Sequence, residues 1–201
     1  MTPQMRRFSD EAFTIHDFLS RETCEEYIRL SEELGYSPAP LSTLDGPRMT
    51  PDVRNNDRVM LDDPRLADEL WDRLRLFVPQ RLKAPDQEPG RATRRFCSPI
   101  GLNERLRFYR YDPGQRFDWH FDGYHARDNG ERSRLTFLVY LNDDFKGGET
   151  DLDLYRGPVR VQPIRGSALV FIHHVLHQGA PVVSGRKYVL RTDVMYSLTR
   201  A

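Results

Sequence analysis

Six histidines occur in the chain, and five of them, His120, His125, His173, His174 and His177, lie in its second half, with His16 alone near the start. Within "FDWHFDGYH" (117–125), His120 and Asp122 stand two residues apart. On a strand, such residues point to the same side. An imidazole and a carboxylate so placed offer two metal ligands, and a histidine from another strand adds a third. Two nitrogens and one oxygen then cover one face of an octahedron and leave the other open, which suits a non-haem Fe(II) that must bind a co-substrate and O₂. His177 is the candidate third ligand. A structural histidine hydrogen-bonded to a nearby aspartate gives the same short pattern, so the pair alone does not decide. His173 and His177 would form a zinc pair if they lay on a helix. The β-branched, apolar "ALVFIHHVL" after a glycine turn argues instead for a strand.

The elements that must carry these residues change character near the middle of the chain. "FTIHDF" (13–18) alternates like a short strand. Ser20 is a suitable N-cap for a helix through Cys24, Tyr27, Ile28 and Leu34, and Gly35 ends it. Residues 36–55 are rich in Pro, Ser, Thr and Asp and are expected to be loop. "DRVML" (57–61) is a strand candidate. Asp63 and Pro64 then open a helix whose Leu66, Leu70, Leu74 and Phe77 keep helical spacing, with Pro79 beyond. Residues 80–100 look like a connector, with "RATRR" (91–95) a solvated loop. From about residue 104 the period becomes two: "RLRFYRY" (105–111), "SRLTFLVYL" (133–141), "TDLDLY" (150–155), "VRVQP" (159–163), "ALVFIH" (168–173) and "KYVLRTDVMY" (187–196). Short strands at this spacing imply an antiparallel sandwich or barrel. Trp119 and Phe121, on the face opposite His120, are expected to be packed.

Bulk properties narrow the classes further. The chain has 201 residues, 38% hydrophobic and 30% charged, as for a water-soluble globular protein. Its 30 basic and 30 acidic residues cancel, so no nucleic acid or membrane is expected as a partner recruited by charge. The aromatic and basic interleaving of "RLRFYRY" resolves, on a strand, into two different faces. Cys24 and Cys97 form no CxxC pair, which predicts a reduced compartment. "MTPQMRRFSDEAFTIHDF" has no signal-peptide core, and no apolar run is long enough to span a bilayer, so a cytoplasmic location is expected.

The stretches "LRFYRYDPGQRFDWHFD", "RLTFLVYLNDDFKGGETDL", "GSALVF" and "LHQGAPVVSGRKYVLRTDVMY" together resemble the 2-oxoglutarate- and Fe(II)-dependent dioxygenases, in their prolyl 4-hydroxylase-like branch, over about residues 104–198. The resemblance implies that His120, Asp122 and His177 are the metal ligands. It implies that Lys187, ten residues after His177, anchors the distal carboxylate of 2-oxoglutarate. Arg191 shares a strand face with Lys187 and is the reserve anchor, with neighbouring Arg186 a third possibility. Tyr111 matches a tyrosine that lines the co-substrate pocket. A cation is needed there because a dianion must be neutralised where water is excluded.

The fold implied is α+β but mainly β: a double-stranded β-helix (jelly roll) core at 101–201, with an N-terminal supporting α/β region at 1–100. The cofactor implied is Fe(II), with 2-oxoglutarate and O₂ as co-substrates and ascorbate as an accessory reductant. The reaction implied is hydroxylation of a C–H bond in a protein or peptide prolyl residue or in a small molecule, coupled to decarboxylation of 2-oxoglutarate. A cupin-like metal-dependent hydrolase or isomerase would use the same three ligands without Lys187, and a non-catalytic jelly-roll binder would need neither. Substrate choice is expected to lie in the loops 36–56 and 123–133, with Asn55, Asn56 and Arg58 as a polar wall. One face of strand 133–141, either Thr136, Leu138 and Tyr140 or Phe137, Val139 and Leu141, must look into the site. Phe171 is expected to pack nearby and Gly147 and Gly148 to make a turn. His125, His173 and His174 are expected not to be ligands.

Overall fold

The computed structural model describes residues 2–43, 46–84 and 96–198; the expected loop 91–95 lies outside them. In chain order, the N-terminal elements are β1 (Gln4–Arg7), β2 (Ala12–His16), α1 (Arg21–Leu34), β3 (Ser37–Pro38), β4 (Leu41–Thr43), β5 (Gly46–Arg48), β6 (Asp57–Asp62), α2 (Pro64–Leu74) and β7 (Leu82–Lys83). Next come β8 (Phe96–Leu102), β9 (Arg105–Tyr111), β10 (Phe117–His120), β11 (Arg132–Tyr140), β12 (Lys146–Gly147) and β13 (Thr150–Leu154). The last are β14 (Gly157–Val161), β15 (Ala168–Ile172), β16 (Leu176–Gly179), β17 (Val182–Ser184) and β18 (Lys187–Leu198).

Both helices start where their caps predict. The Ser20 side chain accepts from the Thr23 N–H, and the Asp63 side chain accepts from the Leu66 N–H with Pro64 in the first turn. Gly35, at φ 82°, closes α1. α2 stops at Leu74, short of the expected Phe77, because its buried stripe of Ala67, Leu70 and Leu74 is already complete and Leu76 points to solvent. Two other expectations need correction. The stretch 36–55 contains the short strands β3, β4 and β5, the last two paired as a hairpin. The supposed connector 80–100 contains β7 and β8, the latter pairing with the end of β18 despite Pro99 and Gly101.

Two facing antiparallel sheets make the jelly roll. The larger runs β1-β2-β15-β11-β18-β9-β6-β3, with β8 also pairing β18; the smaller runs β10-β16-β13-β14. Strict alternation divides the large sheet into two faces. Phe108, Leu135, Phe137, Val139, Leu190 and Val194 pack outward against α1 and α2 through Cys24, Tyr27, Leu70 and Leu74. Tyr109, Tyr111, Tyr140, Val189, Leu169 and Phe171 pack inward with Leu152 and Leu154 of the small sheet. Cys24 and Cys97 are buried free thiols. The helices therefore buttress the back of the sheet whose front holds the site.

Candidate active site

Between the two sheets opens a cavity of about 480 Å³. Its floor is drawn from every second residue of three neighbouring strands. The β9–β18 register pairs Tyr111 with Lys187, Tyr109 with Val189 and Arg107 with Arg191. The β11–β18 register adds Tyr140, Leu138 and Thr136 opposite Val189, Arg191 and Asp193. Cross-strand partners share a face, so Thr136, Leu138 and Tyr140 face the site, and Phe137, Val139 and Leu141 join the outer core.

The small sheet supplies the metal-binding candidates. β10 and β16 are antiparallel, with His120 directly opposite His177. One correction applies: β10 ends at His120. Asp122 lies just beyond, its N–H donating to the His173 carbonyl at 3.1 Å instead of to the ladder. His120, Asp122 and His177 each bring one ligand atom within 4.8 Å of the others. His120 Nε2 is 3.9 Å from Asp122 Oδ1, and His177 Nε2 is 3.6 Å from Oδ2. His120 Nδ1 lies 2.7 Å from the Asp118 carbonyl and His177 Nδ1 lies 2.9 Å from that of Val175. A carbonyl only accepts, so each Nδ1 carries the proton and each Nε2 presents its lone pair to the cavity. Burial, and then the neighbouring His177, push the His120 pKa down to about 4, so the ring is neutral and ready to ligate. Burial alone would raise Asp122, but Arg191 and both imidazoles outweigh it and hold the carboxyl well below the usual range. The donor set, two neutral imidazoles and one ionised carboxylate, fits a divalent ion such as Fe(II).

A chain of hydrogen bonds behind the carboxylate aims it. Thr136 Oγ1 donates to Asp122 Oδ2 at 2.6 Å and lies 2.9 Å from His173 Nδ1. Ser133 Oγ sits 2.8 Å from His173 Nε2 and accepts from the His125 N–H. Because the threonine proton is committed to Asp122, His173 Nδ1 must donate to Thr136, and Nε2 then accepts from Ser133. Burial lowers His173 to about 4, consistent with this neutral tautomer. His173 thus supports the site without entering it, and exposed His174 lies away from it. The sequence pattern offered Thr136 only as one of two possible site-facing strand faces, and it did not single out Ser133.

Lys187 occupies the other end of the floor. It is 3% exposed, yet among the described residues it makes no ion pair, and Glu149 acts on it only from farther off. Its Nζ donates to the Gly148 carbonyl at 2.6 Å and lies 5.1 Å from the Tyr111 ring and 5.7 Å from that of Tyr140. Burial pulls its pKa down to about 8. Arg191, the reserve anchor, is engaged at the opposite end, 3.0 Å from Asp122 Oδ1 and 3.1 Å from Asp193 Oδ1. Arg186 points away from the cavity, to Asp112.

Aromatic rings frame the metal candidates. Phe117 stacks on His120 at 3.5 Å between centroids, and Phe171 meets His177 edge-on at 4.5 Å, the neighbour expected of it. Trp119 and Phe121 are not packed: they are 42% and 61% exposed, Trp119 on the edge strand β10 of the small sheet and Phe121 just beyond its end. Phe121 stands with Tyr124 at the cavity mouth. Of the expected polar wall, Asn55 and Asn56 are engaged with Arg116 and Arg54, and only Arg58 reaches the cavity. Arg54, Arg107 and Tyr109 also line it and were not expected. Tyr109 and Arg107 share strand parity with Tyr111, so alternation could have found them; Arg54 sits in an irregular segment with no such signal.

Residues 106–192 match the family model for the 2OG-Fe(II) oxygenase superfamily. Prolyl 4-hydroxylase 2 of Arabidopsis thaliana is 28% identical over 211 residues, covering 88% of this chain and 64% of that protein. Probable prolyl 4-hydroxylase 4 of the same plant is 33% identical over 121 residues, covering 45% of this chain and 41% of that one. The chain thus spans less than two thirds of the length of these two relatives. Among solved structures, a viral collagen prolyl hydroxylase from Paramecium Bursaria Chlorella virus-1, in complex with 2OG, superposes with a TM-score of 0.63 at 21% identity, over 92% of this chain and 96% of that one. A prolyl hydroxylase from Trichoplax adhaerens, in complex with a hypoxia inducible factor peptide fragment, gives 0.65 at 17% identity, over 92% and 84%. These structural likenesses concern the fold. The family match falls on the strands that build the cavity, so residues 106–192 are similar to the 2OG-Fe(II) oxygenase superfamily, and the chain as a whole is similar to prolyl 4-hydroxylases.

Proposed function

We propose that the protein is a 2-oxoglutarate-dependent Fe(II) dioxygenase that hydroxylates a C–H bond of a prolyl residue in a peptide or protein, or of a small molecule. The observation that carries this reading is the presence, in one cavity, of the His120–Asp122–His177 cluster and of a buried ammonium, Lys187, that makes no ion pair among the described residues and feels Glu149 only from farther off. A buried cation without a paired carboxylate is costly, and a bound dicarboxylate offsets that cost. A cupin-like hydrolase gives Lys187 no such role.

In this reading His120, Asp122 and His177 hold the metal, and their Nδ1 and Thr136 hydrogen bonds fix how they point. Lys187 and Tyr111 receive the distal carboxylate of 2-oxoglutarate, while Tyr140, whose hydroxyl donates to Thr150 at 2.7 Å, walls that end. Phe117 and Phe171 exclude water around the imidazoles. Fe(II), when bound there, supplies the oxidative chemistry with O₂, turning 2-oxoglutarate into succinate and CO₂.

The test is succinate formation by purified protein given Fe(II), ascorbate and 2-oxoglutarate. Wild type should form succinate slowly even without primary substrate, and His120→Ala and Asp122→Ala should form none. Turnover that persists in both variants overturns the metal assignment. An unchanged 2-oxoglutarate Kd in Lys187→Ala moves the anchor elsewhere.

A further inference from the structure

The cavity holds a second group of cations, remote from Lys187. Arg191 is four strand residues from Lys187, roughly 13 Å at the usual rise per residue. Around it stand Arg54, Arg58 and Arg107, with Asp122 and Asp193 as the carboxylates of that wall. Both carboxylates are taken: Arg191 pairs with each, and Arg107 Nη1 reaches Asp193 Oδ2 at 3.3 Å. Arg54 and Arg58 are left over. Arg54 is 4% exposed, donates from Nε to Asn56 Oδ1 at 2.8 Å, and lies over the Tyr109 and Phe117 rings at 4.7 and 4.4 Å. Its Nη2 is buried without a hydrogen bond. Arg58, half-buried in front of it, has neither an ion pair nor a side-chain hydrogen bond among the described residues. Its β6 position faces Tyr109 across the ladder and so looks into the cavity.

The field of this group is visible at Tyr109. Burial should raise its phenol, yet Arg191, Arg54 and Arg107 pull it below the ordinary value. Such a concentration of guanidinium groups, partly stripped of water, is held at an energetic cost unless an anion completes it. The 2-oxoglutarate assigned to Lys187 is committed to the other end of the floor. Metal binding to Asp122 would leave Asp193, already paired with Arg191 and Arg107, as the one carboxylate of this wall not on the metal.

We propose that the primary substrate carries a carboxylate, and that Arg58, backed by Arg54, receives it on the side of the metal away from Lys187. The proposal rests on the dioxygenase reading above. It narrows the substrate class to acidic molecules: a free imino or amino acid, or a peptide with an acidic residue beside the one oxidised. It also makes Arg58 the residue that sets specificity.

The test uses the full chain loaded with Mn(II) and N-oxalylglycine, so that the 2-oxoglutarate site is filled. Two shape-matched pairs are titrated calorimetrically: N-acetyl-L-proline against N-acetyl-L-prolinamide, and N-acetyl-Pro-Glu-amide against N-acetyl-Pro-Gln-amide. In at least one pair the acid should bind about ten-fold tighter or more, the scale of one charge-assisted contact. Arg58→Gln should erase that preference and Arg58→Lys should restore part of it, while both variants still take up N-oxalylglycine. The pair that shows the preference identifies the source of the carboxylate. No preference in either pair, or a preference that survives Arg58→Gln, overturns the proposal. Failure to bind Mn(II) and N-oxalylglycine would instead overturn the dioxygenase reading itself.

Discussion

Lys187 reaches the cavity as an ammonium close to losing its proton, because burial has brought its pKa down to about 8. Only the protonated form attracts a dicarboxylate, so binding and protonation are linked. Below about pH 8 the cation is already present and 2-oxoglutarate affinity should be flat. Above it, each pH unit should weaken the apparent Kd by up to about ten-fold, until the raised pKa of the complex is passed. Titrating 2-oxoglutarate into Mn(II)-loaded protein from pH 6.5 to 9.5 checks this, and a flat profile throughout would mean that Lys187 is not the anchor. At this scale much of the site was legible. His120 and Asp122 stood out by type and spacing with His177 as the candidate third ligand, and the family resemblance pointed to Lys187. The Ser133–His173–Thr136 relay was not legible, because its members meet through the ladder between β11 and β15 and no local spacing announces them. Arg58 was expected in the polar wall, whereas Arg54 was hidden, since what marks it is a buried guanidinium nitrogen without a hydrogen bond.

Alternation placed the long strands well, and it failed where strands are two to four residues long. β12, β16 and β17 carry too few residues to show a period, although β16 carries His177 and β17 fixes the turn beside the anchor. That turn depends on Gly148, at φ 68°, whose carbonyl holds Lys187 Nζ. A Cβ there would lie 3.1 Å from Lys187 Cδ and 3.1 Å from Phe145 Cε2. Gly148→Ala should therefore lose about 1–2 kcal/mol through its left-handed backbone alone. It should also displace the lysine stem, so a lower melting temperature should accompany a several-fold weaker 2-oxoglutarate Kd. Stability loss with unchanged Kd would show that the turn is merely structural. β8 escaped notice for another reason: Pro99 and Gly101 read as loop residues, but among the described residues that stretch pairs only with β18, and the ladder tolerates them there.

The whole molecule places a neutral chain around a charged interior. Its acids and bases balance in number, yet the cavity gathers Arg54, Arg58, Arg107, Lys187 and Arg191 against Asp122 and Asp193. Composition cannot reveal such a separation, which arises when folding brings β6, β9 and β18 side by side. What supports that arrangement lies behind it. Phe137, fully buried on the helix-facing side of β11, meets Phe18 edge-on at 5.3 Å between centroids. Phe137→Ala should cost about 3–5 kcal/mol, and thermal unfolding should move down by roughly 10 °C for a chain of this size. A shift of only a degree or two would show that the sheet and the helices are not one cooperative unit.

Both candidate metal histidines are aimed by main-chain carbonyls two residues upstream, those of Asp118 and Val175. Those acceptors exist whatever side chains occupy positions 118 and 175. The aim of the imidazoles is thus insulated from substitutions in the surrounding wall, so new substrates can be explored by changing Arg58, Tyr124 or Leu41 without re-inventing the metal centre. Evolution, or an engineer, can rewrite what enters this cavity while leaving intact the apparatus that would oxidise it.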